Sequence, residues 1–354
     1  MENNVTELLE NGVLINQSSY NFYTRDVIFI TGLNLTALVA VIGNYLILNV
    51  ISNDVQMKSK TFSLMANMAV SDLMAGLFIW CEMFFCSSYF MEHFVYGEYV
   101  CAVNQMSLLT TYFVSTFTLT AIAVDRHRGI IVSPLHQSNK TVAIKLLSWI
   151  FGAILNLPIM TANSIPEFFG HKELLTFRVF YKTSLNQTII RIRGIFVFMC
   201  QFGVPLIITS FCYIRIVLIL KNRKLIGHHE NQRRVEFQKR NYRIVKMLIL
   251  VLICFTLAWF PIHLSHIYVI FTSTVFIDEP EIPSAFLFLY WLALSSCFFN
   301  SLIYFWYYKE FRQQIKKTMS SISVKSFTFS LKSRSSSKSS NCKHDVKQNA
   351  EVNI

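Results

Sequence analysis

Four ionisable side chains sit in stretches whose neighbours are almost all apolar. Asp72 lies in Asn67-Met-Ala-Val-Ser-Asp72-Leu, and Glu82 follows ten residues later. Asp125 and Arg126 are adjacent at the end of the apolar run that begins at Cys101. A carboxylate inside a membrane segment needs a partner, a proton or a cation, so Asp72 is a functional candidate on chemistry alone. Glu82, about three helical turns further on, either faces an aqueous cavity or snorkels towards the surface. A lone Arg at a helix end marks a membrane surface. An Asp–Arg pair there asks for more, because the other apolar segments carry matching polar residues. The same segments hold no nucleophile–base or metal-ligand cluster, so an enzyme is not expected.

The elements that must position these groups are long and uncharged. The chain has 354 residues, 53% of them hydrophobic and 15% charged, which is an integral-membrane composition. Seven stretches have spanning length: Val27–Ile51, Phe62–Tyr89, Cys101–Val132, Ala143–Ile165, Ile195–Leu220, Val245–Phe276 and Ser284–Tyr307. The stretch from Cys101 to Pro134 is about 45–50 Å long as a helix, enough to cross a bilayer on a tilt. No short apolar core precedes the first span, so no cleavable leader is expected.

Basic residues concentrate on alternate connections. Lys58 and Lys60 follow the first span, and Arg126, Arg128, Lys140 and Lys145 flank the third connection. Nine Lys and Arg lie between Lys221 and Lys246 and ten follow Tyr307, against none, five and none in the three other connections. The positive-inside rule places that tail in the cytoplasm and the N-terminus outside. Sequons at Asn4, Asn16 and Asn186 fall on the outer side and are expected to be glycosylated; those at Asn34 and Asn139 fall in a span and an inner loop and are expected to stay unused. The net charge of +12 is then a property of the cytoplasmic face, and no nucleic-acid partner is expected.

Polar and proline landmarks recur once per span: Asn44, Asp72, Cys101 with Asp125-Arg126-His127, Trp149, Pro205 with Tyr213, Phe255-Thr-Leu-Ala-Trp259-Phe-Pro261, and Asn300-Ser-Leu-Ile-Tyr304. In this order they resemble the rhodopsin-like family of G-protein-coupled receptors, over about Val27 to Arg312. Ser71-Asp72, Tyr112-Phe-Val-Ser-Thr116 and Trp259-Phe-Pro-Ile-His263-Leu look most like its neuropeptide Y, tachykinin and prokineticin receptor branch. The resemblance implies an all-α, seven-transmembrane helix bundle in the plasma membrane, followed by a short amphipathic cytoplasmic helix. It implies an extracellular ligand, most naturally a peptide, and a heterotrimeric G protein as partner. Leu108 replaces the Asp that amine receptors use, and Leu294 replaces the retinal-binding Lys of opsins. Ligand contacts are then expected from Glu82, Gln105, Leu108, Trp259, His263, His266 and Tyr290. Asn44, Asp72, Ser115 and Asn300 form the implied polar core, where Asp72, Ser115 and Asn300 would hold an allosteric sodium ion; no other cofactor or metal is implied. Activation is expected to run through Trp259 and the Pro261 kink to Asp125, Arg126, Tyr213 and Tyr304.

Several positions depart from that pattern. The family's second outer loop supplies a Cys to the one at the start of the third helix, yet Ile165–Gly194 has none. Cys86 is the other thiol on that side, which leaves Cys101 either bridged to Cys86 or free. The same loop reads as a β-hairpin, with Phe177–Lys182 and Ile189–Arg193 flanking Thr183–Thr188. Ser301 replaces the Pro that follows the Asn of the last helix, so a milder bend is expected there. His127 and Asn241 also depart from common choices. The domain reading is a glycosylated outer tail over 1–26, the receptor bundle over 27–307, an amphipathic helix over 308–319 lying on membrane lipid, and a disordered Ser/Lys-rich tail over 320–354. That tail suits receptor kinases and arrestin. Two other functions share these features: a receptor-like protein that binds ligand without G-protein signalling, and a seven-span channel or transporter. The second lacks the internal repeat that transporters show.

Overall fold

The lipid-facing surface is legible from the spacing of exposed apolar residues. Leu35, Leu38, Ile42 and Tyr45 lie exposed along one helix, Leu147, Ile150 and Ile154 along a second, and Ile207, Phe211, Ile214 and Leu218 along a third. Steps of three and four put each set on one helical face. Exposing such stripes to water would be costly, whereas hydrocarbon accepts them. The computed structural model describes residues 2–53, 57–86, 93–94, 96–131, 141–156, 187–222, 232–272, 284–308 and 312–313.

We number the helices in chain order: α1 Glu2–Asn53, α2 Lys60–Phe85, α3 Gly97–Ile131, α4 Thr141–Asn156, α5 Gln187–Phe198, α6 Val204–Asn222, α7 Gln232–Thr272, α8 Ser284–Leu294 and α9 Ser296–Tyr307. Five spans are long single stretches: Val27–Asn53, Lys60–Phe85, Tyr99–Ile130, Gly194–Leu220 and Tyr242–Tyr268. α8 and α9 together make a sixth, bent by 45° at Ser295. α4 is the short apolar member, with 16 described residues, or about 24 Å of helix.

α3 is the axis of the bundle and packs against α2, α4 and α6. α1 lies on α2, α8 and α9, and α7 closes the bundle against α8 and α9. Small residues permit the closest approach. A methyl on Gly76 of α2 would meet the Ala37 carbonyl oxygen of α1 at 3.0 Å and Val41 at 2.9 Å, so only glycine fits there.

Between α5 and α6 the chain makes a π turn over Met199–Gly203, in which the Val204 amide donates to the Met199 carbonyl. Pro205 follows at once. It has no amide hydrogen to continue a regular ladder, and the wide turn absorbs that loss. Pro261 sits within α7.

Three expectations change. Ile189–Arg193 is helical, part of α5, and not a hairpin strand; the other proposed strand lies outside the described residues. The segment leads directly into an apolar span, and a continuous helix satisfies its backbone without a partner strand. The stretch over 1–26, expected as a short, flexible outer tail, is helical from Glu2 and continuous with the first span. It contains no proline and a single glycine, Gly12, so nothing local interrupts the helix. The last helix bends at Ser295, not at Ser301. The amphipathic helix over 308–319 falls mostly outside the described residues, though Arg312 and Gln313 are helical and the Arg312 amide donates to the Tyr308 carbonyl at 3.4 Å. That piece belongs to a second unit, Tyr308–Ile354, separate from Met1–Tyr307.

Candidate functional site

Asp72 is 2% exposed and held from two sides. The Ser115 hydroxyl of α3 donates to Oδ1 at 2.9 Å, and the Asn300 amide of α9 donates to Oδ2 at 2.7 Å. Three helices distant in sequence therefore meet on one carboxyl group. Asn44 does not join it. Its amide donates to the Cys297 carbonyl of α9 and to Ala40, both at 2.9 Å, so it ties α1 to the last helix. Its Oδ1 is buried without a partner. Beside this core, Ser115, Ser296 and Asn300, with Met68, Tyr112, Leu119, Val251, Phe255 and Phe299, line a cavity of about 10 Å³. That is roughly the room of one water molecule or a small ion.

The bend at Ser295 is built from the same residues. A Ser–Ser pair, Ser295–Ser296, occupies the break, a recognised cause of kinks without proline. The Phe298 amide donates to the Ser295 carbonyl at 3.2 Å, and the Leu294 carbonyl instead accepts the Tyr112 hydroxyl of α3 at 2.8 Å. The Trp259 indole donates to the Ser296 hydroxyl at 2.9 Å, and its ring meets Tyr112 edge-on with centroids 5.0 Å apart. Trp259, Tyr112 and the kink thus form one unit, directly above the Asp72 core. Ser301 packs on Gly43 and donates to the Phe298 carbonyl at 2.8 Å within a regular turn.

At one end of the bundle Cys86 and Cys101 are disulfide-bonded, with Cα atoms 4.9 Å apart. Glu82 is buried one turn inward, 4% exposed, with the Tyr290 hydroxyl 3.5 Å from Oε1 and the Gln105 side chain in hydrogen-bonding position. Leu108 lies deep in the core cluster with Tyr112, Trp259 and Leu294. His263 is buried among rings, with centroids 5.6 Å from Phe198, 5.2 Å from Phe202 and 5.6 Å from Trp259. His266 is exposed and lies on Phe286, centroids 5.8 Å apart.

At the opposite end Asp125 and Arg126 are 3.6 Å apart, both partly exposed. The Thr61 hydroxyl of α2 donates to Asp125 at 2.8 Å, which joins the start of α2 to the end of α3. Among the described residues the buried Tyr213 hydroxyl of α6 has no partner, and Tyr304 of α9 is fully buried. The sequons at Asn139 and Asn186 lie outside the described residues, as does the side chain of Asn241; Asn4 and Asn16 fall within α1.

Ser296, Thr61 and Gln201 escaped the reading of the sequence. Gln201 is buried on the π turn with its Nε2 unpartnered. A glutamine two residues before Gly203, in an apolar run leading to Pro205, is the overlooked signal. The Ser295–Ser296 pair in mid-span is the corresponding signal for the kink.

These features define a multi-pass membrane receptor bundle with a polar core linking its two ends. A family description matches residues 43–304, that of the 7 transmembrane receptor (rhodopsin family), and the chain belongs to this family. It is similar to Tachykinin-like peptides receptor 86C of Drosophila melanogaster, 26% identical over 80% of this chain and 56% of the relative. It is also similar to Neuropeptide Y receptor type 2 of Mus musculus, 27% identical over 78% of this chain and 72% of the relative. Substance-K receptor of Bos taurus is 26% identical over 75% of this chain and 68% of the relative. The chain spans little more than half the length of the tachykinin-like receptors it matches.

Proposed function

We propose that this chain is a G-protein-coupled receptor that binds an extracellular peptide at its disulfide end and activates a heterotrimeric G protein at its Arg126 end. The observation that carries the reading is the continuity of the polar unit. Trp259 reaches Ser296, Tyr112 reaches the kink, and Asp72 joins α2, α3 and α9 below it. A ligand pressing on Trp259 would thereby favour a different packing of α9 and α7, which is what a receptor requires. The names of the relatives, which are peptide receptors, support the ligand class. Asp125 is engaged by Thr61 and Arg126, so this end is restrained in the packing described. Release of Arg126 towards the unpartnered Tyr213 hydroxyl is the change we assign to activation.

The residues of the core also fit a sodium ion. Asp72 supplies charge, Ser115, Ser296 and Asn300 supply oxygens, and the cavity has room for one small ion. Sodium favours such hard oxygen donors, whereas Cys297 offers only sulfur. The plasma membrane, an outer N-terminus with glycans at Asn4, Asn16 and Asn186, and kinase and arrestin contacts at the Ser-rich tail complete the proposal.

Arg126→Ala tests it. Ligand-stimulated nucleotide exchange in membranes should disappear at matched surface expression, while peptide binding stays. Undiminished exchange removes Arg126 from the mechanism. Deglycosylation should shift the mass of surface protein, and the Asn4/Asn16/Asn186 triple Gln variant should show no shift. A shift abolished only by Asn139→Gln would reverse the orientation.

A further inference from the structure

Two cysteines and two polar residues form a ladder at the disulfide end. α2 ends at this bond and α3 starts near it. Glu82 lies four residues before Cys86, and Gln105 four after Cys101, so each shares a helical face with its cysteine. The bond that joins the cysteines therefore also sets Glu82 on the same side as Gln105. Tyr290 of α8 closes the group, packing on the cluster of Cys86, Cys101 and Leu287 while its hydroxyl approaches Glu82.

Glu82 has only uncharged partners among the described residues. Ionising a buried carboxyl in such company carries a large desolvation penalty that neutral hydrogen bonds repay only in part. A purely structural link between α2, α3 and α8 would be served by an amide without that penalty. The Tyr290 contact, at 3.5 Å, lies at the limit of a hydrogen bond and yields easily to a stronger donor.

We propose that Glu82 anchors a basic side chain of the ligand, resting on the peptide-receptor reading, and that this side chain is an arginine. A guanidinium offers paired donors to both carboxylate oxygens. It also tolerates the adjacent Tyr290 ring, which an aromatic face stabilises. Gln105 and Tyr290 hold the carboxylate in place.

The test uses the purified full chain in lipid nanodiscs, with N-acetyl-arginine amide and its neutral isostere N-acetyl-citrulline amide as probes. The arginine compound should raise the melting temperature of the native protein and leave Glu82→Gln unchanged, and citrulline should shift neither. Equal responses to both probes, no response to arginine, or a response that survives Glu82→Gln overturns the anchor. Should Glu82→Gln fail to fold, Glu82→Asp keeps the charge one methylene further back, and its arginine response should be weaker but present. An undiminished response there counts against the anchor.

A second arm measures nucleotide exchange with two pools of short synthetic peptides, one with arginine in every member, the other free of arginine and lysine. The arginine pool should activate, with at least about a tenfold rise in half-maximal concentration for Glu82→Gln, in the range seen for buried charge pairs. Activation by the neutral pool alone overturns the anchor and leaves the peptide-receptor reading standing. Silence from both pools with the melting response intact sinks that reading and leaves the cation site standing.

Discussion

Replacing Tyr112 with Phe removes one oxygen and nothing else. The ring and its edge-on contact with Trp259 remain, while the 2.8 Å bond to the Leu294 carbonyl is lost. That carbonyl sits at the bend, where the Phe298 amide has turned to Ser295 instead. Tyr112 is 2% exposed and Leu294 1%, so no water replaces the lost donor at the surface. An unsatisfied buried carbonyl costs about 1–3 kcal/mol. Side-chain hydrogen bonds inside membranes average nearer 0.6 kcal/mol. A cost of about 1 kcal/mol lies between these limits, and it falls on the packing described here. Two consequences follow. Thermal stability should drop by about 2–4 °C, the conversion for larger chains. The ratio of resting to active packing should fall by about fivefold, seen as higher basal nucleotide exchange per surface receptor. Melting and exchange both equal to the native protein would refute the idea that this bond props the kink. Lower stability without raised exchange would mean that both packings keep it.

Cys86→Ser/Cys101→Ser should lower stability by about 3 kcal/mol, the expectation for a closed loop of this size given a separation of 15 residues. Reductant should then lower the melting point of the native chain but not of the double variant. Gly43→Ala places a methyl 2.8 Å from the Ser301 Cβ and should cost about 1–3 kcal/mol. Adding Ser301→Gly should restore most of that and Ser301→Ala should not, so equal rescue by both would show that the clash lies elsewhere. Sodium chloride should raise the melting point and lower basal exchange relative to choline chloride, since an ion bound to this packing stabilises it by mass action. Asp72→Asn should abolish that difference, and an unchanged sodium response would move the ion away from Asp72.

The spans were legible because length and lack of charge are properties of the sequence itself. Lys60–Phe85 and Tyr99–Ile130 match the expected second and third spans, Phe62–Tyr89 and Cys101–Val132, closely. The hairpin was not legible correctly. Ile189-Ile-Arg-Ile-Arg193 alternates in polarity as a strand does, yet it is helical. Alternation in five residues is weak evidence when the next residues begin a span, because a helix already under way extends at low cost while a strand needs a partner. The polar core was partly legible. Asp72, Ser115 and Asn300 could be nominated one by one, since mid-span polar groups are costly and must meet something. Asn44 was nominated on the same ground but serves a different bond, to the Cys297 carbonyl, which no side-chain pattern encodes.

The last helix shows most clearly why side-chain chemistry alone under-determines shape. Attention falls on Ser301 because a Pro is missing there, and its hydroxyl does bond back to Phe298 within a regular turn. The bend is instead at Ser295, six residues earlier, where three things coincide: a Ser–Ser pair, a tyrosine hydroxyl aimed at the Leu294 carbonyl, and an indole that donates to the Ser296 hydroxyl. A serine in a helix can accept a kink but does not impose one; the donors on α3 and α7 decide where it forms. Ser301 contributes through packing, because its side chain fills the space that Gly43 leaves on α1. The hinge of the last helix therefore lies at Ser295, beside Trp259 and Tyr112. A ligand that displaces Trp259 would then act on the bend through one hydrogen bond, and the Asn300–Tyr304 turn would follow it as a rigid piece.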